Sequence, residues 1–314
     1  MSIGDGSPNH PPADLPDLLR QACRLAGYPP GARLIRHFAN AVYLLEQAPV
    51  VARVGYGTGV AAKASTAIAV TRWLIEHGFP ATAPAQLPSG AGQPVVLGPI
   101  SRPVSITFWR HYPQPPGGAW PDTAALASIA KSLHSLPPPP IDLPHYQPLR
   151  SLDAAVSDPA ALLALSEDQR SWLTSRIDEL RQRFAELDFP LGHGLIHADL
   201  YTGNLLWNTS DACSPVVLGD WDSVCVGPRV IDLIPTYAEA RFGVDQATVD
   251  VFAHAYGHEL RAWDGYEVLY DLRELSTLTA LIRLAPSNAR LGNELAHRLA
   301  LLMKGDRATP WHGQ

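Results

Sequence analysis

The residues whose types and spacing could do chemistry lie between 194 and 233, in GLIHADLYTGNLLWNTSDACSPVVLGDWDSVCVGPRVIDL. His197, Asp199 and Asn204 fall there as H-x-D-L-x-x-x-N, and Asp220 follows in GDWD. LLW at 205–207 and PVVLG at 215–219 read as short strands joined by a polar turn. Antiparallel strands lie about 4.8 Å apart, so the start of the first strand sits beside the end of the second. Asn204 and Asp220 flank those neighbouring ends. An amide oxygen and a carboxylate at one loop edge suit a hard cation such as magnesium, which takes few protein oxygens and completes its shell with water and phosphate. Asp199 lies one loop earlier, within reach of the ion's ligand.

A catalytic-loop Asp that receives a hydroxyl proton, an Asn on one metal and a later Asp on the metal bridging the phosphates is the layout of phosphoryl-transfer enzymes. The transferred group is anionic, so a metal must neutralise it while a carboxylate orients the attacking oxygen. Taken singly, each motif is common: a lone His197 reads as a core histidine, and Asp220 as a turn residue. Their joint order, with a hairpin between, is the specific signal.

These elements need a scaffold. Residues 1–13 read as a disordered tail and 14–26 as a short helix stopped by Gly27. RLIRHFANAVYLLE and PVVARVGYG follow as β-structure, then AAKASTAIAVTRWLIEHG as a helix, then PVVLG and RPVSITFWRHY as strands. The remainder is helical apart from the hairpin. TAALASIAKSLHSL ends at a tetraproline, and SEDQRSWLTSRIDELRQRFAEL opens with a capping box from Ser166 to Gln169. DQATVDVFAHAYG, YEVLYDLRELSTLTALIRLA and NARLGNELAHRLALLM are further helices. The fold class is α+β, with a β-rich first lobe over 14–110, a mainly helical second lobe over 111–314, and a cleft between them as the expected ligand site.

Composition narrows the function. Hydrophobic residues are 46% and charged residues 17% of the 314, a globular balance. The net charge of −6 gives no nucleic-acid footprint. Three scattered cysteines with no C-x-x-C spacing make neither a disulfide framework nor a zinc site, and read as reduced thiols in the cytoplasm. The polar, proline-rich start is not a signal peptide, and no apolar run is long enough for a membrane span.

With HADLYTGN, GDWD, Gly227 and Ile231-Asp232-Leu233, the chain resembles the aminoglycoside phosphotransferase family, small-molecule kinases of protein-kinase-like fold. The resemblance extends from about Asp14 onward. It implies Asp199 as catalytic base, Asn204 and Asp220 as magnesium ligands, His197 as support of the catalytic loop and Asp232 as its anchor. Asp222 is a secondary metal candidate. ATP or GTP is the implied co-substrate and a small-molecule hydroxyl the acceptor, with antibiotic resistance as a role carried only by the family's name. Ala198 stands where protein kinases place an Arg, which favours a small-molecule kinase.

The resemblance assigns nucleotide contacts to Asn40, in a glycine-poor turn between the first strands, and to Arg53 on the third strand, where Lys or Arg pairs with phosphate. Phe108, Trp109 and Arg110 would meet adenine through their backbone. The acid expected to hold Arg53 is missing from the following helix, which reads Ser65-Thr66-Ala67-Ile68-Ala69. That absence leaves open a second reading, a catalytically weak nucleotide-binding protein. Choline, homoserine and other alcohols stay open as acceptors beside aminoglycosides and amino sugars. Asp271 and Glu274, at i, i+3 on one helix, are candidates for an acceptor's ammonium, or else a salt-bridged helix face.

Overall fold

The computed structural model describes residues 14–37, 40–117 and 120–312. The tail expected over 1–13 lies outside them. The strands are β1 (Ala32–His37), β2 (Ala41–Leu45), β3 (Val50–Tyr56), β4 (Val95–Leu97), β5 (Val104–Arg110), β6 (His193–Ile196), β7 (Leu205–Trp207), β8 (Val216–Leu218) and β9 (Cys225–Pro228). The helices are α1 (Leu15–Ala26), α2 (Val60–Glu76), α3 (Thr123–Ser135), α4 (Arg150–Val156), α5 (Glu167–Ala185), α6 (Ile234–Ala238), α7 (Gln246–Tyr256), α8 (Tyr266–Ser276), α9 (Leu278–Leu284) and α10 (Ala289–Met303).

Two compact units emerge, and their composition differs from a single cut after residue 110. The first comprises 1–121, 139–143 and 203–224; the second comprises 122–138, 144–202 and 225–314. The β7–β8 hairpin, remote in sequence, therefore belongs with the N-terminal sheet. The reason is backbone pairing: Thr82 N–H donates to the Leu218 carbonyl at 2.9 Å, and Leu218 N–H to that of Pro80 at 2.8 Å.

The first unit is built on an antiparallel sheet of order β1-β2-β3-β5-β4. Alternation on β3 sends Val50, Ala52 and Val54 into the core. There they meet Ile106 and Phe108 of β5 and the apolar stripe of α1: Leu15, Leu19, Ala22, Cys23 and Ala26. Each fully buried large side chain of this set contributes about 1.5–3 kcal/mol. Gly27 ends α1 in the left-handed region at φ 85°, where a side chain would meet the Ser89 backbone.

The second unit packs α3 on α7, with Leu126, Ile129, Ala130 and Leu133 against Val249, Phe252, Ala253 and Tyr256. Leu173, Ile177 and Leu180 give α5 its buried stripe, and Ser166 and Gln169 close the capping box that starts it. The segment 266–285 reads as one helix in sequence and is two in the structure. At the break, the Ser276 and Thr277 hydroxyls donate to the carbonyls of Arg273 and Glu274, both at 2.7 Å, and compete with the helical ladder. The short strands β6 and β9, which local pattern does not signal, pair antiparallel from His193↔Pro228 to Ile196↔Cys225.

Candidate active site

In the first unit, Leu205 pairs with Leu218, and Gly219 N–H donates to the Asn204 carbonyl at 2.9 Å. Asn204, 5% exposed, and Asp220 therefore flank the same hairpin end. Asp220 sits in the left-handed region at φ 62°, a conformation Asp tolerates better than most residues. The next residue fixes the turn: Trp221 is 1% exposed, donates its indole N–H to the Leu218 carbonyl at 3.0 Å and meets Phe79 edge-on at 5.9 Å.

Arg53 projects from β3 to this corner. Its Nη2 lies 2.6 Å from Asp220 Oδ1 and 2.8 Å from Asp222 Oδ2. Burial alone would lower its pKa, but the two carboxylates outweigh burial and raise it. Asn40 donates its amide to Asp222 Oδ2 at 3.0 Å. The carboxylates beside Arg53 thus come from the segment after β8, whereas α2 was where the resemblance placed one.

The same geometry bears on a metal. One guanidinium nitrogen reaches oxygens of both carboxylates, so Asp220 and Asp222 already converge on a single positive charge, with the Asn204 amide at the same hairpin end. Among the described residues no group of three or more His, Cys, Asp or Glu is placed to hold a metal ion. The Asp220 carboxylate and the Asn204 amide fit a hard cation that takes its other ligands from phosphate and water.

The segment expected at the adenine is the end of β5. Phe108 and Trp109 are buried within β5. Phe108 N–H donates to Gln93 Oε1 at 2.8 Å, and its carbonyl accepts from Ala85 N–H at 2.8 Å. Arg110 N–H goes to the Ala83 carbonyl at 2.9 Å, and Trp109 is in register with Val51 of β3. The Phe108 N–H and carbonyl and the Arg110 N–H thus make hydrogen bonds within the first unit. The Arg110 side chain donates to Ser210 Oγ at 2.5 Å. Gln114 was not anticipated: its amide accepts from Trp207 N–H at 3.0 Å and donates to the Trp207 carbonyl at 3.3 Å, closing the free edge of β7.

The second unit holds the other group. β6 delivers His197, fully buried, then Ala198 at φ 62°, then Asp199 with 39% of its side chain exposed. After β9 the chain turns so that Asp232, fully buried, faces this loop. Asp232 Oδ2 accepts from His197 N–H at 2.8 Å and Oδ1 from Ala198 N–H at 2.7 Å. Behind it, His134 Nε2 lies 3.1 Å from Oδ2, and His134 Nδ1 lies 2.8 Å from the Tyr256 hydroxyl. Gly227 permits the close pairing: a Cβ there would stand 2.7 Å from both Ile196 and Tyr146.

Arg273 of α8 donates to Asp199 Oδ1 at 3.2 Å. Glu239, half-buried, is pushed up to about 6 by burial, and Arg273 draws it back. Neither Arg273 nor His134 carries a local sequence signal for these roles. Asp271 and Glu274 do share α8, but both are taken up by arginines. Glu274, 1% exposed, lies 2.7 Å from Arg241, and Asp271 pairs with Arg176 and Arg307. An ammonium at this pair would have to displace these guanidinium groups, and the ion pairs match the salt-bridged alternative. Trp311 is 5% exposed and sits between the guanidinium groups of Arg241 and Arg298, at 4.4 and 4.8 Å, sealing the core of its unit.

A two-carboxylate corner on a β-sheet unit and an anchored H-x-D loop in a helical unit are the parts of a kinase-like phosphotransferase. The model of the APH phosphotransferase enzyme family matches residues 31–269, and the chain belongs to that family; it is a small-molecule kinase. A search of curated proteins by sequence finds no match.

Solved structures share the fold. A microcompartment-associated aminopropanol kinase is 19% identical with a TM-score of 0.66, covering 92% of this chain and 98% of its own. An amicoumacin kinase, in complex with AMP-PNP, Ca2+ and Ami, is 15% identical with a TM-score of 0.65, covering 90% and 91%. An aminoglycoside phosphotransferase from Streptomyces rimosus is 19% identical with a TM-score of 0.54, covering 84% and 98%. Among the described residues, no helix is long and apolar enough to cross a membrane.

Proposed function

We propose that the chain moves the γ-phosphoryl group of ATP or GTP to a hydroxyl of a small amine-bearing molecule, of aminoglycoside or amino-sugar type. The observation that carries this reading is the Asp199 loop: a half-exposed carboxylate at the end of a segment whose two preceding N–H groups are held by a buried carboxylate. A base of this kind must be fixed in place yet open to the acceptor. In the proposed reaction Asp199 orients the acceptor hydroxyl and receives its proton as that oxygen attacks the γ-phosphorus, and the bond to the β-phosphate oxygen breaks to release the nucleoside diphosphate. Asp232, seconded by His134, holds the loop so that this carboxylate does not wander.

Asn204 and Asp220 would hold magnesium, with Asp222 adjacent; the ion, when bound, neutralises charge on the phosphates. Arg53 and Asn40 are assigned to the phosphate side of the nucleotide. The amine-bearing acceptor is supported by the names of two structures of like fold, an aminopropanol kinase and an aminoglycoside phosphotransferase.

The test is nucleotide consumption with magnesium against a panel of aminoglycosides, amino sugars, choline and homoserine. One acceptor class is expected to stimulate turnover, and Asp199→Asn to cut that turnover at least about a thousandfold while nucleotide still binds. Turnover retained in Asp199→Asn would remove the base from this position.

A further inference from the structure

We propose that Asp222 is the positioning residue for Arg53, doing from the turn after β8 the work that α2 has no acid to do. The inference rests on the reading of Arg53 as the cation on the phosphate side of the nucleotide. α2 runs VAAKASTAIAVTRWLIE, and its one carboxylate, Glu76, is its last residue. A long arginine side chain left alone loses rotamer freedom when a ligand fixes it, so a fixed acid that holds it beforehand removes much of that cost.

Asp222 has the geometry for this task. Its Oδ2 is 2.8 Å from Arg53 Nη2 and 3.0 Å from Asn40 Nδ2, so one oxygen ties β3 to the turn between β1 and β2. Its backbone is rigid because the neighbouring Trp221 is buried and hydrogen-bonded. Arg53 is also the less exposed partner, with 18% of its side chain open against 35% for Asp222.

Asp220 shares the contact with Arg53, yet it is also the residue assigned to the cation. Two carboxylates on one guanidinium divide the duties. When Asp220 turns to a metal, Asp222 still holds Arg53 and the Asn40 turn. The structure thus assigns to the second Asp of GDWD a role in aiming an arginine, distinct from metal ligation.

The experiment is a cycle of Arg53→Gln, Asp222→Asn and the double variant of the full chain, with Asp222→Glu as rescue. Nucleotide affinity is read by calorimetry with ATP, once with magnesium and once in chelator, beside kcat and KM. Asp222→Asn is expected to weaken ATP binding on the order of tenfold in both conditions, the equivalent of about 1.4 kcal/mol for one charge-assisted contact. It should add little in the Arg53→Gln background, and Asp222→Glu should restore most of the affinity. A loss that persists in full without Arg53, or that occurs only with magnesium, would overturn the proposal in favour of a metal ligand. If Arg53→Gln alone leaves ATP affinity unchanged, the phosphate-side reading of Arg53 falls, and the role of Asp222 falls with it.

Discussion

Replacing Asp232 by asparagine keeps its size and removes its charge and one acceptor. In the wild type Oδ1 takes the Ala198 N–H at 2.7 Å, and Oδ2 takes the His197 N–H at 2.8 Å with His134 at 3.1 Å. Asparagine offers one oxygen, so its amide NH2 must face an N–H donor at a site with no solvent exposure. A hydrogen bond to a charged group contributes about 1.5–3 kcal/mol, and a buried donor left unmet costs about 1–3 kcal/mol. These overlap, and the expected loss is about 2–4 kcal/mol. For a unit of this size that lowers the melting temperature by roughly 5–12 °C. A loop displaced by about 1 Å also costs on the order of a hundredfold in rate. Scanning calorimetry and steady-state kinetics check both, with Asp232→Ala, which removes both acceptors, expected to be worse on each. Nucleotide KM should change little, since Asn40 and Arg53, proposed for the nucleotide, belong to the other unit. An Asp232→Asn protein with wild-type melting and wild-type kcat would refute the anchoring argument.

Ala198→Gly should stabilise by about 0.5–1 kcal/mol: the left-handed backbone costs an L-residue about 1–2 kcal/mol, and glycine returns part of that gain as chain entropy. A lower melting temperature for Ala198→Gly would contradict the assigned φ of 62°. Arg241→Met should cost about 3–5 kcal/mol in urea unfolding, because Glu274 is then buried without its counter-charge, and replacing both partners with apolar residues should recover most of it. Glu239 sets a pH dependence. Its folded-state pKa, raised from 4.5 to about 6, means the folded chain holds a proton that the unfolded chain releases in that window. Its contribution is present below about 4.5 and lost as pH rises through about 6, a swing of at most about 2 kcal/mol. Glu239→Gln should therefore gain stability relative to wild type between pH 5 and 7.5; equal urea midpoints across that range would place Glu239 in water.

The capping box at Ser166, the hairpin bringing Asn204 beside Asp220, and the helical and β-rich portions all follow from period, caps and turns. The candidate motif of His197, Asp199 and Asn204 was legible because its residues are close in sequence. The short pair β6–β9 was not, because three or four residues carry no period and their pairing joins segments about thirty residues apart.

By itself, then, the sequence determined the order of the chemical groups and the kind of scaffold that bears them, since periodicity and motif spacing are properties of neighbours along the chain. Tertiary structure alone decided which charge meets which. Arg53 finds Asp220 across 167 positions, and Asn40 finds Asp222 across 182. Glu274 was claimed by Arg241, and the backbone of Phe108 by Gln93 and Ala85. A carboxylate or an N–H group carries no mark of its partner along the chain; burial imposes that choice, because a polar group withdrawn from water must be met by whichever complementary group the fold brings within reach.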